Sequence, residues 1–416
     1  MVCYCESKNC ECEIGGWIRE VLKDKHAEDE LQVKINGNAE KGTGYLGDIA
    51  FAQVSVYKNK HLQKQYDLVV KIGKTGDAIS QRFPVRLSCQ REAFVYQKII
   101  PAFNALLAEK NLEPLDVTAK CFSILQKEEL ELLLLQNLAT LGYEIHDKKL
   151  PMNLNHLKLT LQAYGKWHAL SFAMRDQKRE YFDGLCANLQ CVWTEFIKAS
   201  SGEHIDNSLN IISGVLMMKG ETELLNRLKE KLPRKCSDIM LGILSAEEPQ
   251  SVMLHGDCWN NNYMFQYESE DGEKKHPTKT VLIDFQIARI ASPALDLAYH
   301  LYLVCSAEQL NHFDELLNIY FTSLSENLRA LGTNPDKIFT YEDLLDHWEK
   351  YSVFGVILAG IAQMVNFMSK EESALMDLQD RNEAKVQFRA ILDRHKDELA
   401  SRFIPVVKHF LNFQRH

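Results

Sequence analysis

Apolar and polar positions change rhythm near residue 138. Before it, "LQVKIN" (31–36), "DIAFAQVSVY" (48–57) and "YDLVVKIG" (66–73) alternate with a period of two and predict three strands, the first two flanking a glycine-rich turn. "CFSILQK" and "LELLLLQNL" predict a fourth and a fifth, the last apolar enough to be buried on both faces. Two helices accompany them. One is "IGGWIREVLKD" (14–24), with Trp17, Ile18, Val21 and Leu22 on one face; the other runs from about Leu87 to Ile100, where Pro101 should stop it. After Leu141-Gly142 the helical period dominates, near 156–175, 182–198, 207–231, 308–331, 342–367 and 384–412. Two short strands, "SVMLHG" and "TVLIDFQ", interrupt it, and "YESEDGEKKHPTK" (267–279) reads as a polar hairpin turn.

This pattern divides the chain into a sheet-rich part, 1–138, and a larger helical part, 139–416. At 416 residues, two domains are expected from a prior of roughly 100–200 residues each. With 46% hydrophobic and 25% charged residues, disorder throughout is excluded. A net charge of −9, with no broad basic stretch, argues against nucleic-acid binding. The N-terminus lacks the apolar core of a secretory signal. The longest candidate span, "VFGVILAGIA" (353–362), is about half the roughly 20 residues needed to cross a bilayer. A cytoplasmic protein without membrane insertion, expected to be a monomer, follows. The eleven cysteines read as reduced thiols. Cys3, Cys5, Cys10 and Cys12 form C-x-C-x4-C-x-C, a tighter pairing than structural zinc sites favour.

The chemistry concentrates in "VMLHGDCWNNNYMFQ" (252–266), where five polar groups crowd into eight positions. Singly, Asn and Asp there are turn formers. Counting five residues on from Asp257 reaches Asn262, the H-x-D-x4-N spacing in which Asp faces a substrate hydroxyl and Asn binds magnesium. Asp284, 22 residues beyond Asn262, closes the strand "VLIDFQ" as a second magnesium ligand would. Upstream, Gly42, Gly44 and Gly47 form G-x-G-x-x-G followed by a strand, which suits a nucleotide-covering hairpin better than a dinucleotide fold. Lys71 interrupts an apolar strand and is hard to bury alone. Glu92 on the next helix would satisfy it, as would nucleotide phosphates. Read one at a time, Lys71 is a strand-edge charge and Glu92 a solvated helix residue; the ordered set points to an α+β, bilobal, protein-kinase-like fold. It would have a small antiparallel-sheet lobe and a large, mostly helical one.

The substrate is expected to be small. Position 256, where protein kinases regulated by activation-loop phosphorylation often carry Arg, is Gly256, and only seven residues separate Asp284 from "SPALDLAYHLY". That leaves no room for a peptide-positioning segment.

"HGDCWNNNYMF", "LIDFQIARIASPALDLAYHL", "KWHALSFA" (166–173) and "LLLLQNLATLGY" (132–143) resemble the ecdysteroid kinase-like family, also called CHK kinase-like, over roughly residues 14–400. The family is related to choline and aminoglycoside kinases. The resemblance implies ATP- and Mg²⁺-dependent phosphorylation of an alcohol group on a small molecule, with ecdysteroids the best-known substrates. It also implies backbone contacts to adenine at Gln136 and Leu138. The chain departs from the family at Gln136-Asn137, commonly Glu-Asp, and at Cys258, usually Leu. Where protein kinases place a Lys two positions after the Asp, it has Trp259.

In this reading Asp257 accepts the hydroxyl proton, Asn262 and Asp284 hold Mg²⁺, and Lys71, fixed by Glu92, positions the triphosphate with Gly42, Gly44 and Gly47. His255 points away from the acceptor as an anchor, Asp296 holds loop amides, and His168 braces the same region. A stripe of Trp348, Tyr351, Phe354, Met364, Phe367 and Met368 is either core or an acceptor pocket. Two alternatives stand: a choline, ethanolamine or aminoglycoside-type kinase, and a non-catalytic kinase-like protein that binds a small ligand.

Overall fold

The computed structural model describes residues 13–38, 48–74, 84–127, 130–268, 276–369, 371–372 and 381–413. Gly42, Gly44, Gly47 and the four N-terminal cysteines lie outside them. Internal contacts divide the chain into two compact units, one of residues 1–101 and 118–144, the other of 102–117 and 145–416.

The first unit is built on an antiparallel sheet of β1 (Glu30–Asn38), β2 (Asp48–Lys58), β3 (His61–Lys74), β4 (Cys121–Lys127) and β5 (Leu130–Gln136), in the order β1-β2-β3-β5-β4. Period-2 alternation gives the sheet two different faces. Ala50, Ala52, Val54 and Val56 of β2, Leu68, Val70 and Ile72 of β3, and Leu132 and Leu134 of β5 pack on one side with Ile18 and Leu22 of helix α1 (Glu13–Leu22). Trp17 and Val21 pack against the same cluster. Lys71, Gly73, Glu131 and Leu133 fall on the opposite side, where Lys71, Gly73 and Glu131 meet helix α2 (Val85–Phe94). Both faces of β5 are therefore covered, and Glu131 to Leu135 are all buried.

Pro101 does not stop the helix. After α2 the chain makes one π-helical turn, Val95–Ile99, and continues as α3 (Ile100–Glu109). Proline lacks the N–H that a helix interior needs, but here it occupies the first turn after the hydrogen-bond frame has shifted, where its missing donor is tolerated.

The second unit is mostly helical: α4 (Leu154–Gln177), α5 (Arg179–Cys186), α6 (Val192–Ala199), α7 (Glu203–Met218), α8 (Thr222–Lys231), α9 (Cys236–Ser245), α10 (Pro293–Val304), α11 (Ala307–Asn311), α12 (Phe313–Ala330), α13 (Pro335–Ile338), α14 (Tyr341–Phe367), α15 (Arg381–Arg394) and α16 (Lys396–Asn412). A short strand, β6 (Tyr143–Ile145), spans the boundary between the units. Periodicity missed the breaks. The segment 207–231 is two helices because Gly220, at φ +73°, ends the first. There Glu221 N–H donates to Leu216 O and Gly220 N–H to Met217 O, a Schellman closure. Segment 182–198 likewise splits between Cys186 and Val192, and 384–412 breaks at His395.

Strand β7 (Val252–Met253) pairs with β10 (Ile290–Ala291), and β8 (Tyr263–Glu268) with β9 (His276–Leu282). Helix α4 pins β7 from behind: Trp167 Nε1 donates to Met253 O at 2.6 Å, and Met253 N–H to Ser171 Oγ at 3.0 Å. α14 is long and apolar enough to cross a membrane, yet it is mostly buried in the unit against α7, α10 and α16. Trp348, Tyr351, Phe354, Met364 and Phe367 are buried core residues of that helix.

Candidate active site

In the sheet-rich unit, β3 and α2 bring Lys71 and Glu92 together. Lys71 Nζ donates to Glu92 Oε2 at 2.7 Å, and the carboxylate is 3% exposed. Gly73, two residues on, leaves α2 free to approach, because a β-carbon there would overlap Cys89 Sγ. At the end of β5, Gln136 N–H donates to Lys120 O and Asn137 N–H to Asp67 O, while the Asn137 side chain caps the 3₁₀ turn Leu138–Leu141. These bonds fix the path of the segment holding Gln136 and Leu138.

The helical unit holds the rest. The loop from Leu254 to Asn262 leaves β7 and runs beside the segment from Ile283 to Arg289. Leu254 N–H donates to Arg289 O at 2.8 Å and Ile283 N–H to Asn262 O at 3.0 Å. Between them Gly256, at φ +86°, passes so close to Ile287 O that a β-carbon would strike that carbonyl. Only glycine fits, so this position is set by backbone geometry inside the unit.

Asp296, in the first turn of α10 and 1% exposed, anchors the loop. Its Oδ2 accepts the His255 amide at 2.7 Å and its Oδ1 the Gly256 amide at 2.9 Å. His168 Nε2 lies 3.3 Å from the same carboxylate, and Tyr320 OH lies 3.0 Å from His168 Nδ1. Burial alone would raise the Asp296 carboxyl, but His168, His255 and the Gly256 amide outweigh it and hold the group below the usual carboxylate range. His255 is an anchor too. Its Nε2 faces the Ile283 carbonyl at 2.8 Å, which can only accept, so that nitrogen carries the proton and Nδ1 receives the Asp257 amide at 3.2 Å.

With its backbone held this way, Asp257 is 9% exposed and presents its carboxylate to two donors, Gln286 Nε2 to Oδ2 and Tyr299 OH to Oδ1, each at 3.4 Å. Burial, reinforced by the neighbouring Asp284 charge, raises its pKa to about 7 against the pull of Gln286, Asn262 and Tyr299. Asn262 Nδ2 donates to Asp257 O at 2.9 Å, so the amide oxygen, an acceptor, takes no part in that bond. Asp284 follows β9 by two residues at φ +70°, a left-handed conformation that non-glycine residues adopt rarely, Asp and Asn more often than most.

Sequence spacing identifies Asp257, Asn262 and Asp284 but not Gln286 or Tyr299, the residues that touch the Asp257 carboxylate. Tyr299 lies three residues after Asp296, one turn along the same face of α10, in a helix whose every residue is buried, so the sequence does not single it out. A polar web backs the loop: Tyr164 OH lies 2.7 Å from Tyr263 OH, and burial pushes the Cys258 thiol well above its ordinary range. Among the described residues, no group of three or more His, Cys, Asp or Glu side chains forms a metal cluster.

A family model described as the ecdysteroid kinase-like family matches residues 41–333. Among solved structures, the chain is similar to one described as a candidate fructosamine-3-kinase from Haemophilus somnus 129PT, with 13% identity, 91% of this chain and 96% of that chain covered, and a TM-score of 0.34. No curated protein matches the chain.

Proposed function

The chain belongs to the ecdysteroid kinase-like family, and on that premise we propose that it is an ATP-dependent small-molecule kinase that phosphorylates an alcohol group, with a steroid of the ecdysteroid type as its acceptor. The observation that carries the reading is the Asp257 carboxylate, buried, proton-hungry at about pH 7 and oriented by Gln286 and Tyr299. A base with a pKa near the working pH takes a proton from a hydroxyl at little cost.

The donor set fits magnesium. Asn262 commits its NH₂ end to a carbonyl and so keeps its neutral amide oxygen as the acceptor, and Asp284 supplies a carboxylate; hard Mg²⁺ prefers such oxygen ligands and keeps the rest of its shell for phosphates. When bound, the ion neutralises charge on the β and γ phosphates. Each remaining task falls to a residue of the chain. Asp257 holds the acceptor hydroxyl and receives its proton as the oxygen attacks phosphorus. Lys71, fixed by Glu92, offers the cation for nucleotide phosphates in the sheet-rich unit. Asp296 and His255 keep the loop backbone in register while this happens. Phosphoryl transfer through a loose transition state asks mainly for such placement and charge.

The test is Mg·ATP consumption by the purified protein across steroids, amino alcohols and aminoglycosides, with Asp257→Asn as control. Steroid-dependent turnover lost in the control is expected. Turnover with amino alcohols or aminoglycosides instead would reassign the acceptor, and turnover surviving Asp257→Asn would remove that residue from the chemistry.

A further inference from the structure

Five residues after Asp284, the chain buries a guanidinium that no carboxylate among the described residues offsets. Arg289 is 8% exposed. Its Nη2 donates to Leu244 O at 2.8 Å, at the end of α9, while Nη1 is buried without a partner. Burial disfavours its charge, and the groups that restore it are Cys191 and Tyr351, neither of them a carboxylate. A buried cation with an unused donor is a configuration proteins avoid unless something completes it.

The surroundings supply further donors. Cys191 is the N-cap residue of α6 and gives that helix no side-chain cap, so its first amides remain unanswered by the capping residue. α6 packs on α9, the helix whose carbonyl Arg289 grips. Trp193, on the first turn of α6, also buries an indole N–H that has no partner. What fits a guanidinium fork and a helix start is an oxyanion.

We propose that Arg289, beside the N-terminus of α6, forms an oxyanion subsite of the helical unit, taking a carboxylate, sulfate or phosphate group that is either free in solution or carried on a small molecule. Its occupant would bear on the catalytic segment. The Arg289 carbonyl is hydrogen-bonded to Leu254 N, and Gln286, three residues earlier, donates to Asp257. The inference stands apart from the kinase reading, because it needs no nucleotide.

Calorimetric titration with inorganic phosphate tests the free ion, and titration with a sterol sulfate tests the carried one. Each is run on the wild type, Arg289→Met and Arg289→Lys. Lys71→Met is included because a nucleotide site would take phosphate too. In at least one arm the expected result is saturable binding weakened tenfold or more by Arg289→Met and by less with Arg289→Lys, with this Arg289-dependent binding persisting in Lys71→Met. Should Arg289→Met fail to fold, as judged by circular dichroism, Arg289→Lys carries the test through a measurable loss of affinity. No binding in either arm, affinity unchanged in the Arg289 variants, or binding abolished by Lys71→Met alone would overturn the subsite. Failure of the wild type to bind Mg·ATP would instead count against the proposed function and leave this result standing.

Discussion

Gly256 donates its amide to Asp296 Oδ1 at 2.9 Å while its Cα is pressed against the Ile287 carbonyl. The loop that carries Asp257 is thus clamped from two sides at the residue just before it. Gly256→Ala would strain a left-handed φ, costing about 1–2 kcal/mol, and displace the turn that holds Ile287, costing a further roughly 1–3 kcal/mol. Gly220→Ala is the matched control, since it shares the positive φ but has nothing within 4 Å of its β-carbon. In urea denaturation the Gly256 variant should lose clearly more stability than the control, and turnover should fall with it. Equal losses would show that the carbonyl contact does not matter.

Asp257 sets a stability that depends on pH. Its native carboxyl keeps a proton up to about pH 7, whereas an unfolded aspartate releases it near 3.9. Between those values the native state binds more protons, so the contribution is complete below about pH 4 and is lost as pH rises through 7. Each unit of difference is worth about 1.4 kcal/mol. Asp257→Asn cannot titrate. In metal-free protein it should therefore gain on the wild type by up to a few kcal/mol between pH 5 and 8, while turnover drops by on the order of 10²- to 10⁴-fold. Parallel stability profiles for the two proteins would contradict the buried, protonated state.

Lys71 and Glu92 offer a double-mutant cycle. Lys71→Met takes the ammonium from a carboxylate that is 3% exposed, which costs roughly 3 kcal/mol or somewhat less, given that the lysine itself is 21% exposed. Glu92→Gln removes the charge and should be milder, and the double variant should recover part of the loss. Affinity for Mg·ATP, measured by calorimetry, should follow the lysine alone and fall about tenfold or more, or ~1.4 kcal/mol, in both variants that lack it. Unchanged affinity would deny Lys71 a phosphate contact.

What the sequence made legible was whatever depends on local pattern. Strands β2 and β3 were readable because each buries one face in an alternation, β5 because it is apolar throughout, and Lys71 because it is the charge in an otherwise apolar run. Asp257, Asn262 and Asp284 stood out because their spacing matches that of a kinase catalytic loop. Tyr299 was not, since an aromatic residue in a wholly buried helix looks the same whether or not its hydroxyl meets a carboxylate. Gly256 read as a missing arginine, whereas its reason is a carbonyl 31 residues further along the chain that only tertiary structure brings near. Helix breaks at Gly220 and His395 were hidden because apolar residues recur at helical spacing on both sides of each one.

Asp284 separates catalysis from stability most directly. At φ +70° its backbone sits where most side chains are disfavoured, Asp less than most. Replacing it with glycine should relieve strain of about 1 kcal/mol, whereas Asp284→Ala keeps the strain and loses the local side-chain bonding that lets Asp tolerate this region. Both variants delete a proposed magnesium ligand. Both should thus lose Mg²⁺-dependent turnover by orders of magnitude, but in thermal denaturation Asp284→Gly should melt at or above the wild type and Asp284→Ala below it. Relief of charge works in the same direction for both, because removing Asp284 lessens the repulsion that raises Asp257. The gap between glycine and alanine therefore isolates the backbone contribution, and a gap of zero or the reverse order would mean that the left-handed turn stores no strain.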